Sequence, residues 1–346
     1  MQLDLLASFE VAHKKLPWPW LAIDPTHQRI AYVTPGGRVD TRQMENGVVQ
    51  VGATFALPAG LRLPTTQAAP TGHQGPSSGL HGLAISPSGE LVAFAGTMKD
   101  ASVIVTSSAA GEVCRTPVTA LSGTDFVAHA ITFDRSGDRL WVSLEREQET
   151  GVLLIDARSH AVFGLVRTAA FPPPSVHALH VHPQDDAVLL LASCGQDGTF
   201  ARVTGWSGDV VPISVPTQLD DDGLPAGFVG FSADGARVHL VESTAFRTHA
   251  WPGLEELSSI ELPGTFASAY AGVVLGHRIF IDGEDADTGD GDFVVEFDRS
   301  ALIGKPALDP VPTGMWVGRI GDDAIVTVSA TGEPAEGRIV RLLAST

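Results

Sequence analysis

Features that mark several common protein classes are scarce or absent in this 346-residue chain. Its two cysteines, Cys114 and Cys194, are too few for a disulfide framework, and we interpret them as buried, reduced thiols of a cytoplasmic protein. No uninterrupted apolar run is long enough to cross a membrane as a helix. The opening MQLDLLASFEVAHKK carries Asp4 and Glu10 where a secretory signal needs an apolar core. We therefore expect a cytoplasmic protein without a membrane span.

Positive charge is also scarce. The chain has 22 lysines and arginines against 40 aspartates and glutamates, a formal net charge of −18 with neutral histidine. Nucleic acids and anionic lipid surfaces bind basic faces, so neither is expected as a partner of this acidic protein. The negative charge is explained most simply by solubility, although it would also favour a bound cation.

Sequence motifs that would identify an enzyme are missing. The chain contains no phosphate-binding loop that opens a helix and no cysteine pair at zinc-finger spacing. We find no convincing helical periodicity either. The 37 glycines and 23 prolines are spread along the whole chain, which is typical of many short strands joined by tight turns.

The chain does contain a repeated unit, in which two apolar strands flank a Ser/Asp-Pro/Ala-x-Gly turn. A third strand and a weaker fourth strand follow, as at 151–159 and 161–167. The clear copies start at intervals of 62, 48, 48 and 50 residues, and the long first interval contains a predicted inserted loop, 57–79, rich in Pro, Gly, Ser and Thr. The copies occupy residues 21–33, 83–94, 131–144, 179–193 and 229–242, with degenerate copies at 269–282 and 316–330.

Four antiparallel strands that recur every 40–50 residues predict an all-β fold, a seven-bladed β-propeller in a single domain spanning 1–346. A sandwich would not repeat at this period, and βαβ units would contain helices of 10–15 residues. The last copy supplies only three strands, so we predict that residues 1–12 form the outer strand of that blade and close the ring. Such propellers are often self-sufficient, and we expect a monomer.

Two strings, HGLAISPSGELVAF and GVLLIDARSHAV, resemble repeats of the YVTN/lactonase-like and WD40-like propellers. Ser86, Pro87 and Gly89 match the turn of those repeats, and 155–156 and 297–298 match the end of their third strand. True WD dipeptides are missing, which favours a YVTN-like propeller. The resemblance covers nearly the whole chain and implies the fold, but such propellers include scaffolds, lactonases, lyases and dehydrogenase subunits.

Three histidines, His81, His129 and His177, open the first strand of adjacent repeats at a constant spacing of 48 residues. Trp20 and Gly227 stand near the matching place in other repeats. The first strand of each blade lines the central channel of a propeller, and its start shares one rim with the loop after the second strand. These loops are rich in acidic residues: 97–100, 145–149, 195–197, 242–243 and 282–292.

The chemistry of this rim has three interpretations that the residues leave open. Three converging imidazoles can hold zinc, copper or iron. Alternatively, the histidines form an acid–base or ligand site with Glu145 or Glu242, which occupy matching positions in their repeats and are candidate proton-transfer groups. In the third interpretation histidine is a repeat-consensus residue that hydrogen-bonds the backbone or a neighbouring blade.

Two further patterns have mainly structural interpretations. Asp285, Asp287 and Glu296 match positions 1, 3 and 12 of a calcium-binding loop, but Asp290 stands where that loop needs glycine. We interpret this segment as an acidic hairpin, with calcium as the alternative ligand. His182 replaces the Ser or Asp of other repeats and is interpreted as a surface turn residue.

Together these patterns predict a binding propeller, which takes a small molecule or a protein at the acidic, histidine-bearing rim of its channel. The alternative is an enzyme of lactonase, lyase or oxidase type that uses the same rim, with or without a metal. Because no catalytic motif stands out, binding is favoured over catalysis.

Overall fold

The computed structural model describes most of the chain. The described residues are 2–12, 21–62, 82–172, 175–194, 197–214, 217–220, 227–242, 245–261, 266–275, 278–285, 291–296, 301–304, 315–321, 323–329 and 335–343. Trp20, His81, Asp287 and residues 63–79 of the predicted inserted loop lie outside them. No helix among the described residues is long and apolar enough to cross a membrane.

The described residues form 29 strands and one short helix. The first nine strands are β1 (Gln2–Val11), β2 (Leu21–Asp24), β3 (Arg29–Val33), β4 (Arg38–Glu45), β5 (Val48–Ala56), β6 (Leu83–Ile85), β7 (Leu91–Met98), β8 (Ala101–Ser108) and β9 (Gly111–Pro117). The helix α1 (Val118–Ser122) precedes β10 (Val127–Phe133), β11 (Arg139–Arg146), β12 (Glu149–Asp156), β13 (Val162–Ala169), β14 (Val176–Val181), β15 (Ala187–Ser193), β16 (Thr199–Trp206), β17 (Val210–Pro212) and β18 (Thr217–Asp220). The remaining strands are β19 (Gly227–Phe231), β20 (Arg237–Glu242), β21 (Ala245–Ala250), β22 (Glu256–Glu261), β23 (Phe266–Leu275), β24 (Arg278–Asp285), β25 (Gly291–Glu296), β26 (Ala301–Gly304), β27 (Met315–Ile320), β28 (Ala324–Ser329) and β29 (Ala335–Leu343).

Hydrogen bonds join these strands into seven antiparallel sheets, each built on four strands. The sheets are β2–β5, β6–β9, β10–β13, β14–β17, β19–β22, β23–β26 and β27–β29 with β1; β18 pairs additionally with β16. The prediction of an all-β protein with four-stranded antiparallel blades is confirmed. Among the described residues, the prediction that the chain has no helix is wrong for α1, whose five residues are too few to show a helical period.

The two ends of the chain meet in the sheet that contains β1. β1 pairs antiparallel with β29, with Gln2 opposite Leu343, and lies at the edge of this sheet. The ring of Phe9 packs against Tyr32, with 4.3 Å between centroids. A Cβ atom at Gly337 would overlap this phenyl ring, so glycine is needed on the facing strand.

Strand position within a sheet explains the hydrophobic patterns of the repeats. The middle strands β7, β11 and β15 are buried along most of their length, because neighbouring sheets cover both of their faces. Their sequences are therefore nearly continuous apolar runs, such as LVAFA and AVLLLA. The outer strands β5 and β9 face solvent and alternate between exposed and partly buried residues. The core consists of clusters between adjacent sheets, such as the one that includes Trp141, Val152 and Leu190.

The first strand of every sheet contributes to the wall of a central cavity of about 950 Å³. This cavity lies towards the turns that join the first and second strands, since residues 130–135 and 179–183 line it. All seven first strands contribute to this wall, for example through Ile23, Ile85, Phe133, Val181, Phe231, Gly272 and Gly318.

Candidate functional site

The starts of the inner strands and the ends of the second strands share one edge of the fold, as the repeat pattern predicts. Val127 at the start of β10 lies opposite Glu145 near the end of β11. In the next sheet, Val176 at the start of β14 lies opposite Ser193 at the end of β15. This edge brings together four polar residues of two neighbouring sheets, which we call the rim cluster: His129, Glu145, Ser175 and His177.

Hydrogen-bond geometry orders the protons in the rim cluster. The Ser175 hydroxyl donates to Oε1 of Glu145 at 2.6 Å, and the same Oγ lies 3.1 Å from Nε2 of His177. A hydroxyl has one proton, and that of Ser175 is donated in the hydrogen bond to Glu145, so Nε2 of His177 must donate to the oxygen of Ser175. On the other side, Nε2 of His129 lies 3.2 Å from Oε2 of Glu145. Both carboxylate oxygens of Glu145 therefore face a polar partner.

Local irregularity gives the two histidines different environments although they occupy the same repeat position. The register of β10 shifts at His129, and the Ala130 amide donates to the hydroxyl of Ser143 at 3.0 Å. This bulge leaves the His129 side chain 28% exposed. His177 follows regular pairing in β14 and is 1% exposed. His129 is thus the accessible imidazole, and His177 supports the cluster from inside.

Apolar and aromatic groups surround the buried side of the rim cluster. The rings of His129 and His177 have centroids 4.8 Å apart, and Phe171 meets His177 edge-on at 5.9 Å. The thiol of Cys194 is buried nearby, and burial, with the charge of Glu145 next, raises its pKa to about 12. Burial lowers the pKa of His129, and the opposing effect of Glu145 offsets this only in part. At neutral pH His129 is therefore a neutral imidazole, and the neighbouring Cys194 is a thiol.

Two predicted site residues, His81 and Trp20, lie outside the described residues, and so does the side chain of Glu242 at the end of β20. The described residues include no group of three His, Cys, Asp or Glu side chains placed to hold a metal ion. The predicted site of zinc, copper or iron therefore gains no support from His129 and His177, which share a carboxylate instead.

Calcium coordination by Asp285 and Glu296 is incompatible with the strands. Both residues belong to one hairpin, in which Glu296 lies opposite Arg278 at the end remote from the turn. Asp285 lies seven residues further along β24, roughly 23 Å away at the rise of an extended strand. The calcium alternative fails for this reason, and the hairpin interpretation agrees with the pairing of β24 and β25.

The interpretation of His182 as a surface residue is wrong. Its side chain is buried at 2% exposure, and its Nδ1 accepts from the Asp185 amide at 2.7 Å. Its Nε2 donates to the Gly235 carbonyl of the next sheet at 2.8 Å, and its ring stacks on Trp251. The imidazole thus caps its own turn, as Asp134 does in the preceding repeat, and also links two sheets.

Ser175 is the member of the rim cluster that the sequence analysis missed. It stands two residues before a repeat histidine, but the matching position one repeat earlier is Val127, so no repeated pattern marks it. Its functional contact, Glu145, is 30 residues away in the preceding sheet. Only the packing of the two sheets brings the hydroxyl and the carboxylate together.

Comparison with known proteins identifies the fold. No family model matches the chain, and no curated protein matches it. Among solved structures, the β-propeller domain of Cps50 (Swd1) from Myceliophteria thermophila is similar with a TM-score of 0.61 and 9% sequence identity, over 99% of this chain and 100% of that one. At this identity the similarity shows the β-propeller fold alone, which confirms that part of the prediction.

Proposed function

We propose that this β-propeller is a cytoplasmic ligand- or partner-binding protein whose recognition site is the rim cluster. The observation that carries the proposal is the Glu145 carboxylate, which Ser175 holds at 2.6 Å while 16% of its side chain remains exposed. A charge fixed in this way loses little conformational entropy on binding, so its position favours recognition. The acidic chain, with a net charge of −18, adds long-range attraction for a positive partner.

The chemistry of the cluster favours a ligand group that donates hydrogen bonds and carries positive charge. Glu145 offers a carboxylate, and neutral His129 beside it offers a ring nitrogen that can accept a proton or a hydrogen bond. A lysine or arginine side chain from a protein partner fits this pair, as does the amino group of a small molecule. Charge-assisted hydrogen bonds of this kind are stronger than neutral ones, and they fix the orientation of the bound group.

The same proposal includes a closed ring of seven blades in one domain, with YVTN-like repeats. Each of the seven sheets places its first strand on the wall of the central cavity, which supports this count. The turn Ser86–Gly89 and the strand end at 155–156 support the repeat type. A ring closed by β1 leaves its strand ends on two rims, and one of these carries the rim cluster.

Affinity capture with matched variants tests the binding proposal. We expect wild-type protein to retain a partner or small molecule that Glu145→Gln loses, with binding weakened at least tenfold in a titration of the purified components. Glu112→Gln makes the same charge change on the outer strand β9, where Glu112 pairs with Arg115, and should bind like wild type. Equal affinity of Glu145→Gln and wild type for every retained partner would refute the rim cluster as the recognition site.

A second candidate function is acid–base catalysis at the same rim. One observation favours it: a partly exposed, neutral imidazole lies 3.2 Å from a carboxylate that can orient it as a base. Ser175 does not fit the role of nucleophile, because its hydroxyl donates its hydrogen bond to Glu145 and not to His177, which would have to act as the base. A screen of lactone and ester hydrolysis that finds an activity abolished in His129→Ala, at unchanged melting temperature, would favour the enzyme over the binding protein.

A further inference from the structure

Arg202 is a buried arginine at the interface between sheets β10–β13 and β14–β17. It lies in β16 opposite Leu190, and its side chain is 0% exposed. One arm of its guanidinium, Nη1, donates to the hydroxyl of Thr168 in β13 of the other sheet. Apolar side chains of the same interface, including Val166 and Leu190, belong to the core around it.

The other edge of this guanidinium has no hydrogen-bond acceptor among the described residues. Nε and Nη2 of Arg202 are both buried and both unpartnered there. These two nitrogens direct their N–H bonds along the same edge of the planar group, the edge that binds carboxylates and other anions in a two-pronged manner. The edge of Arg202 that lacks an acceptor in the described part of the chain is therefore the edge that is best suited to bind an anion.

In Arg139, the corresponding edge of the guanidinium binds carboxylates. Its Nε donates to Asp134 at 2.7 Å, and its Nη2 donates to Asp186 of the neighbouring sheet at 3.1 Å. These two carboxylates, together with burial that opposes them, leave the pKa of Arg139 raised. Arg202 occupies an interface between the same two sheets, but no described carboxylate forms an ion pair with it.

Burial does not remove the positive charge of Arg202. It lowers the pKa of the guanidinium to about 10, which still leaves this group protonated at neutral pH. A protonated group without a counter-charge in an apolar interface is strongly unfavourable. The free energy of the folded protein would therefore fall if an anion from solution occupied the unpartnered edge.

We propose that the Nε and Nη2 edge of Arg202 binds a small inorganic anion, with chloride as the physiological occupant, between two sheets of the propeller. The complete burial of Arg202 excludes carboxylate side chains of a partner and organic acids, so the occupant that we propose is a monatomic anion. The site does not depend on the proposed function of the rim cluster. It would act as a structural counter-ion site that stabilises one inter-sheet interface.

Thermal unfolding of the full-length protein in sodium chloride and in sodium gluconate, at equal ionic strength, tests the proposal. Wild type should melt at a higher temperature in chloride, with Tm rising by about 2 °C for each tenfold increase above the dissociation constant. Arg202→Met removes the charge but keeps the stem, and should melt equally in both salts. Arg115→Met changes an exposed, ion-paired arginine and should keep the wild-type difference.

A second measurement does not require that the variant folds. In chloride-35 NMR, the chloride signal should be broader with wild-type protein than with Arg202→Met. If this variant does not fold, the excess linewidth with wild type should disappear in saturating bromide. Equal Tm values in the two salts together with no excess linewidth would overturn the proposal, and ordered water would then be the partner of Nε and Nη2. A chloride effect that persists unchanged in folded Arg202→Met would overturn it as well.

Discussion

The Ser175 hydroxyl donates to Oε1 of Glu145 at 2.6 Å, and this hydrogen bond sets the direction of the contact between Ser175 and His177. The single proton of the hydroxyl is used in that bond. In the contact of 3.1 Å between Ser175 and His177, His177 must therefore be the donor. The cluster therefore acts as a support for the carboxylate and not as a relay that activates a serine. His129, on the exposed side, completes the contact with Glu145.

Removing the Ser175 hydroxyl should destabilise the protein. Ser175→Ala removes the hydrogen bonds that its hydroxyl makes with Oε1 of Glu145 and with Nε2 of His177, and we expect a loss of about 1–3 kcal/mol in the free energy of unfolding. Ser193 is a matched control, because its buried Oγ has no hydrogen-bond partner among the described residues. Ser193→Ala should change the free energy by less than about 0.5 kcal/mol or increase it. Urea unfolding measures both, and equal losses would contradict the network.

Neutralising Glu145 should lower two pKa values together. The carboxylate opposes the burial of His129 and adds to the burial of Cys194, and in both cases it raises the pKa. In Glu145→Gln, the imidazole and the thiol should therefore both titrate at lower pH than in wild type. NMR titration of the labelled side chains measures the two shifts, with Glu112→Gln as the control. An increase of either pKa would contradict the placement of Glu145.

The pairing of β1 with β29 depends on the contact of Phe9 with Gly337. Gly337→Ala places a methyl group against the Phe9 ring, and we expect it to lower stability by about 1–3 kcal/mol. Phe9→Leu should recover part of this loss in the double variant, because it makes room for the methyl group. Gly36→Ala, where a Cβ atom meets only ordinary contacts, should be nearly neutral.

Removing residues 1–12 should lower stability more than Gly337→Ala does, because the truncation exposes the whole edge of β29. Thermal unfolding of the four variants and the truncated chain compares these effects directly. An unchanged melting temperature after truncation would show that β1 does not contribute to the closed ring.

Acid should unfold the protein through its buried neutral histidines. Burial lowers the pKa of His160 and of His239 to about 4, and Thr106 and Thr116 hold the two nitrogens of His160 at 2.9 and 3.0 Å. Between pH 4 and 6.5 the unfolded chain binds protons that the folded chain does not. The contribution of each of these two histidines to stability is therefore constant above about pH 6.5 and falls as the pH decreases towards 4, by up to about 3 kcal/mol.

The variant His160→Asn provides the test of this pH dependence. Asparagine tolerates the positive φ of 57° at this position and does not titrate in this range. The variant should be less stable than wild type at pH 7 but should lose less stability between pH 7 and 4. A parallel pH profile for the two proteins would contradict the assignment of His160 as a proton-binding site of the unfolded state.

The repeated strands and turns could be predicted because their determinants are local. Asp134 accepts from the amides of Gly137 and Arg139 within one turn, so a short string of residues specifies the hairpin. Continuous apolar runs mark middle strands in the same way, because both of their faces are covered. The shared rim of His129 and His177 also follows from the repeat, and the structure brings their rings to 4.8 Å.

The contacts between sheets could not be predicted from the same strings. Ser175, Arg202 and His182 each meet a residue of another sheet, namely Glu145, Thr168 and Gly235. Their neighbours in sequence do not indicate how two sheets are offset against each other. His182 illustrates the difficulty, since the turn pattern correctly places it in a turn and wrongly implies that it is exposed.

The pairing of β1 with β29 also affects how the chain folds. Gln2 and Leu343 lie at nearly opposite ends of the sequence, whereas the other sheets form by pairing strands that are close in sequence. Loop-closure entropy makes such a distant contact slow to form, so the sheet that joins the termini should be completed last. During synthesis, the other sheets can assemble while this ring stays open. A circular permutant that places β1 directly after β29 would turn the slowest contact into a local hairpin, with faster refolding and an unchanged native structure.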